Sequence, residues 1–254
     1  MRARIRVVLV RPRRGGNVGA VARAMKNMGL RDLVLVAPRA RLGASARHMA
    51  VHAEDVLRGC RAVATLDEAL ADVALAVGTI GREIASTRRI ETPRAFAATM
   101  RAAARTGCVA LVFGPEDHGL SNAELDRCQA LLRIPADPAY GSLNLAQAVL
   151  LCAYEIHLAA EIEPASPKRK ATRRGKERDA EARPATGAER EALFEHLEEA
   201  LARIGFLQKQ NPAHIMRDVR ALLGRAGLTQ RDVRVWRGIA RQVLWSASRS
   251  EARR

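Results

Sequence analysis

Five short apolar runs do most to limit how this chain can fold, at residues 5–10, 33–37, 73–78, 108–113 and 131–134. They are rich in Val, Leu and Ile and lack the alternating polar residues of a strand with one face in water. Between them lie segments with helical spacing. After the first run come Val18, Val21, Ala22, Met25 and Met28, closed by Gly29, and Asn17 is placed to cap that helix. Residues 46–57 predict one helix, and Thr92-Pro93 opens an alanine-rich helix that runs to Ala104. Thr65-Leu-Asp-Glu68 and Ser121-Asn-Ala-Glu124 have the spacing of capping boxes. Strands buried on both faces and separated by helices imply an α/β fold, a parallel sheet with helices on both faces. Its ligands belong at the carboxyl ends of the strands.

The stretch at 134–153, IPADPAYGSLNLAQAVLLCA, concentrates polar groups at such an end. A Pro/Gly-rich loop offers backbone donors and acceptors, Ser142 a hydroxyl and Asn144 an amide, all at the start of a nearly uncharged helix. From the residues alone Ser142 is either a helix cap or a site hydroxyl. Two other strand-end loops carry glycine, GGNVG after the first run and GPEDHGL after the fourth. Neither is G-x-G-x-x-G or a P-loop, which argues against dinucleotides and nucleoside triphosphates. Arg23 stands about one and a half turns beyond Asn17 and need not share its face. Alone, it reads as a surface charge, and Glu116 and His118 read equally as a polar turn or a site.

Charge points to the partner. The formal net charge is +16, and of 43 basic residues only Lys26, Lys168, Lys170, Lys176 and Lys209 are lysine. Arginine's planar fork of donors suits phosphate, so the expected partner is a nucleic acid. With only eight aromatic residues, a surface that stacks successive bases is not expected. Cys60, Cys108, Cys128 and Cys152 are dispersed and form no C-x-x-C, a reduced, cytoplasmic pattern. His48 and His52 lack a strong third ligand, so no metal is expected. No apolar run is long enough for a membrane span, and the short run at residues 5–10, set among arginines, is too short for a signal peptide.

The organisation expected is a domain over 1–162, a basic linker over 163–188 and a small helical domain over 189–254. Residues 163–188 carry eight basic against four acidic side chains and no apolar periodicity. Beyond them Leu193, Leu197, Leu201 and Ile204 form one stripe, Asn211-Pro212 opens a second helix, and Thr229 caps a third.

Three motifs together carry a resemblance. NVGAVARAMKNMG from Asn17, LVFGPEDHGLSNAEL from Leu111 and IPADPAYGSLNLAQAV from Ile134 resemble the three motifs of the SpoU/TrmH class of SPOUT RNA 2'-O-ribose methyltransferases. Order and spacing agree over residues 5–162. The helical extension is most similar to the TrmJ branch, whose members methylate ribose 32 in the tRNA anticodon loop. The resemblance implies a C-terminal trefoil knot in the sheet domain, a homodimer with active sites at the subunit interface, and S-adenosylmethionine (SAM) as cofactor. It implies a SAM pocket lined by Thr79, Gly114, Glu116, Ile134, Ser142, Leu143 and Asn144, with Asn17, Arg23, Ser142 and Asn144 at catalytic positions. The same chemistry on ribosomal RNA, and a non-catalytic RNA-binding protein of this fold, are the alternatives.

Overall fold

In the computed structural model, residues 4–81, 89–162, 183–207 and 212–251 are described. Seven strands form one sheet: β1 (Ile5–Val10), β2 (Asp32–Val36), β3 (Arg61–Val63), β4 (Val73–Ile80), β5 (Ile90–Glu91), β6 (Cys108–Phe113) and β7 (Ala130–Arg133). Their order is β3-β2-β1-β6-β4-β7-β5, and the pairings are parallel. Successive side chains of β1 enter different cores. Val7 and Leu9 pack with α1 (Gly15–Asn27), α3 (Glu54–Arg58), α5 (Pro93–Thr106) and α7 (Leu145–Ile162), whereas Val8 and Val10 pack with α4 (Leu66–Leu70) and α6 (Asn122–Leu125). Both faces are dry, which is why the strands read as continuous apolar runs.

Four of the five expected strands lie within a residue or so of their predicted limits, and β4 runs on to Ile80. The edge strands β3 and β5 are additions. They are two or three residues long and largely exposed, so no apolar run announces them. The helix expected over 46–57 is two helices, α2 (Ala44–Ala50) and α3, because the backbone turns at Val51 with φ 53°. That is an uncommon conformation for a β-branched residue.

A charge sits inside the sheet. Arg6 on β1 is buried and donates to Asp32 (2.8 Å), to both oxygens of Asp72 (2.6 and 3.0 Å) and to the carbonyl of Ala69 (2.8 Å). Burial opposes its charge, but the two carboxylates outweigh that and raise its pKa. The Arg6 hydrogen bond in turn lowers the pKa of Asp72.

The C-terminal helices are α8 (Gly187–Arg203), α9 (Pro212–Arg225) and α10 (Gln230–Glu251), around a core of Leu193, Phe194, Leu197, Met216, Leu223 and Val233. The described residues resume at 183, and the fold of this domain starts before the expected boundary at 189. Pro184 bridges Thr229, Ala185 is fully buried, and Thr186 caps α8 in a capping box with Glu189. The rest of the expected linker, 163–182, lies outside the described residues.

These helices are docked on the sheet domain. A Cβ on Gly187 would lie 2.1 Å from the Leu70 carbonyl oxygen, and the Ala188 N–H donates to Ala71 (3.1 Å). Arg190 is buried in the seam and donates to the carbonyls of Ala74 (2.9 Å), Val73 (3.2 Å) and Ala185. Burial among these neutral partners lowers its pKa to about 10. Arg217 with Asp126 (3.3 Å) and Arg127 with Glu191 (3.5 Å) flank the seam.

Candidate active site

Four adjacent strands, β1, β6, β4 and β7, lie side by side, and their carboxyl ends bring together the three glycine-bearing loops, which follow β1, β6 and β7, and Thr79 on β4. Thr79 ends β4 beside Ile80, Gly114 follows β6, and Ile134 follows β7. The Thr79 hydroxyl donates to the Val112 carbonyl (3.0 Å), fastening β4 to β6. Gly114 is demanded by the backbone itself. A Cβ there would lie 2.2 Å from the carbonyl carbon of Gly119 and 2.3 Å from the amide nitrogen of Leu120.

That tight loop places Glu116 at the start of α1. Its carboxylate accepts from the Asn17 side-chain amide (2.8 Å) and from the backbone N–H of Arg13 (3.1 Å). Burial opposes its ionisation, but the hydrogen bonds from Asn17 and from the Arg13 and Arg14 backbone outweigh it, holding the carboxyl below the usual range. An anion at the amino end of a helix also satisfies its free N–H groups. Glu116 therefore orients its neighbours as a stable carboxylate and is poorly matched to proton abstraction near neutral pH.

Asn17 is not the cap expected from the sequence. The helix begins at Gly15 with Arg14 at the cap position, and the Asn17 side chain is turned toward Glu116 instead. Its oxygen accepts from the Asn144 amide (3.3 Å), so Asn17, in the first motif, is bonded directly to both the second and the third. The cap of α7 is Asn144, whose oxygen accepts from the Ala146 N–H (2.9 Å) while its own N–H donates to Gln147 (3.1 Å). Gln147 was missed, although an Asn followed three residues later by Gln has the capping-box spacing. Ser142 is exposed one turn before the helix, its hydroxyl outside that cap, and Leu143 is half-buried beside it. Arg23 is exposed on α1, apart from the Asn17–Glu116–Asn144 network.

Sequence reasoning also passed over the braces of the first loop. Arg11, at φ 47°, pairs with Glu124, and Arg13 pairs with Asp117 (2.7 Å). Both ties start from the basic loop after β1, the first ending on α6 and the second on the acidic loop after β6. The run of like charge in one and of acids in the other was the available signal.

The model matching residues 4–154 is that of the SpoU rRNA Methylase family, and the model for the tRNA methyltransferase TrmJ C-terminal domain matches 188–252. The chain belongs to the SpoU methylase family. Within it, TrmJ proteins resemble the chain over nearly its whole length. The tRNA (cytidine/uridine/adenosine-2'-O-)-methyltransferase TrmJ of Pseudomonas aeruginosa is 41% identical over 93% of this chain and 92% of its own. The tRNA (cytidine/uridine-2'-O-)-methyltransferase TrmJ of an Escherichia coli strain is 38% identical over 94% of each. The crystal structure of TrmJ from Z. mobilis superposes with a TM-score of 0.78 at 35% identity, covering 94% of this chain and 98% of that one.

The SpoU domain's motif loops have groups that suit a sulfonium nucleoside. Ile134 and Leu143 provide apolar surface for a base, the loop backbone provides polar edges, Ser142 a hydroxyl and Glu116 a negative charge. Among the described residues no group of three His, Cys, Asp or Glu side chains could hold a metal, and no helix is long and apolar enough to cross a membrane. A cavity of about 690 Å³ lies at the opposite, amino ends of β1, β2, β4 and β6, lined by Arg4, Arg6, Asp32 and Asp72. It is remote from the motif loops and is dominated by the Arg6 ion pairs.

Proposed function

We propose that this chain transfers a methyl group from SAM to a ribose 2'-hydroxyl of tRNA, at nucleotide 32 of the anticodon loop. The observation that carries the reading is the Asn17–Glu116–Asn144 network, which ties all three family motifs into one wall. Full-length similarity to tRNA 2'-O-methyltransferases, helical domain included, supports tRNA over ribosomal RNA. Thr79, Gly114, Glu116, Ile134, Ser142, Leu143 and Asn144 would hold SAM, which would supply an electrophilic methyl. The residues of this chain align the ribose and stabilise the oxyanion that develops as its hydroxyl attacks. Asn17 and Asn144 fix the wall, Ser142 offers a hydroxyl to the reacting groups, and Arg23 clamps phosphate and the developing charge. Arginine is not a proton acceptor in proteins, so the proton leaves through RNA phosphate or water. The place of action is the cytoplasm. The strand order supports a trefoil knot, since β7 enters the sheet between β4 and β5 although it follows both in the chain.

The test is a map of ribose methylation in total RNA from cells with and without the gene. Loss of a 2'-O-methyl group at tRNA position 32 is expected. Loss confined to ribosomal RNA would replace the reading.

The active form is a homodimer formed through α7. Leu150, Leu151 and Tyr154 on this apolar helix are 37%, 41% and 43% exposed, and α7 packs against α1, the helix that carries Arg23. Leu151→Asp combined with Tyr154→Asp should give a folded monomer in sedimentation and remove methylation. A dimer that survives both charges would put the interface elsewhere.

A further inference from the structure

One face of α10 is built for contact, yet nothing in the described fold covers it. Arg234, Gly238, Arg241, Trp245 and Arg249 follow at intervals of four, three, four and four residues, which sets them in a single stripe along the helix. All five are exposed, whereas Val233 and Ala240, on the opposite side, enter the core. Trp245 is 53% exposed, and the Arg249 guanidinium lies over its ring at 4.8 Å from the centroid.

Gly238 is the second observation. A glycine inside a helix weakens it relative to alanine, and the usual structural reason is a close neighbour. Here a Cβ would meet nothing within 4 Å. The packing of the described residues gives no reason for the gap, which opens between Arg234 and Arg241, about two turns before Trp245. It leaves the helix backbone approachable at the centre of a basic stripe.

We propose that this stripe binds tRNA, with an unpaired base stacked on Trp245 and flanking phosphates taken by Arg234, Arg241 and Arg249. The proposal rests on the tRNA reading above. Arginine and an open indole face are the groups that hold single-stranded RNA, stacking being sequence-tolerant and the charges tracking the backbone. One base is involved, not a run of them, in keeping with the scarcity of aromatics. Trp236 lies on another flank of α10 beside Val235 and Ile239, so the two tryptophans can be told apart.

The experiment uses the full chain with Trp236→Phe, leaving Trp245 as the only tryptophan. Titration with tRNA should quench its fluorescence, and an RNA duplex without unpaired bases should not. Trp245→Ala should weaken tRNA binding by roughly 5- to 100-fold with an unchanged salt slope. Arg241→Ala should reduce the slope of log K against log salt by about 0.7. Gly238→Ala should raise Tm by about 2–4 °C yet weaken tRNA binding, opposite signs that no purely structural role produces. Normal tRNA affinity in both Trp245→Ala and Gly238→Ala would overturn the proposal while leaving the methyltransferase reading intact. Quenching by anionic lipid vesicles and not by tRNA would assign the stripe to a membrane surface instead. An enzyme that neither binds nor methylates tRNA would remove both readings.

Discussion

Arg23→Ala is expected to lower turnover on tRNA by about 10²-fold or more, the scale seen when a donor to a developing oxyanion is removed. Its folding and its SAM affinity should stay close to those of the parent, because Arg23 is exposed on α1 and lies outside the network that joins the motif loops. Single-turnover methylation measured beside calorimetry with SAM separates the two effects. Arg23→Lys keeps the charge but loses the planar fork, so it should recover only part of the rate. A variant that loses SAM affinity in proportion to its activity would return Arg23 to a structural role.

Gly114→Ala should be severe for a different reason. The added methyl would lie 2.2 Å from the Gly119 backbone, and backbone cannot step aside as a flexible side chain can. Forced insertion of this kind costs about 1–3 kcal/mol and sometimes more. The displaced loop is the one that carries Glu116, so Asn17 and the start of α1 lose their anchor at the same time. Both Tm and activity should fall, and the Tm loss should be present without SAM. If Gly114→Ala kept the parent's Tm and lost only SAM affinity, the glycine would be serving the cofactor and not the loop.

The sheet was legible because its strands are dry on both faces. Residues 108–113 needed no context to be read as a strand, and all six form β6. Its two edges were not legible, since β3 and β5 exist through pairing with β2 and β7 and bury little of their own. Nor was the break in the 46–57 helix, where Val51 takes a backbone angle that its side chain disfavours. A Cβ on Gly19 would lie 2.1 Å from the Ala46 carbonyl oxygen, so α1 and α2 touch backbone to backbone, a contact invisible to local pattern.

In the site, residue type was informative and partnership was not. Asn17, Glu116 and Asn144 stood out by motif, but their linkage spans about a hundred residues of chain and had to be seen in the fold. The caps show the same limit. Ser121 and Thr186 act as capping residues with a glutamate three residues on, whereas Asn17, equally suitable by type, is drawn off by a carboxylate from a distant loop.

The Arg190 seam has a bearing on how such an enzyme tells one nucleotide from its neighbours. A cation buried against carbonyls at the amino end of β4, with Gly187 pressed on Leu70, leaves α8 little freedom to pivot on the sheet. The helical domain and the carboxyl ends of the strands are then two fixed points on one rigid body. A rigid body with two contact points works as a caliper. It accepts an RNA in which the gripped feature and the target ribose stand the right distance apart, and passes over an identical ribose one step nearer or farther along the same strand.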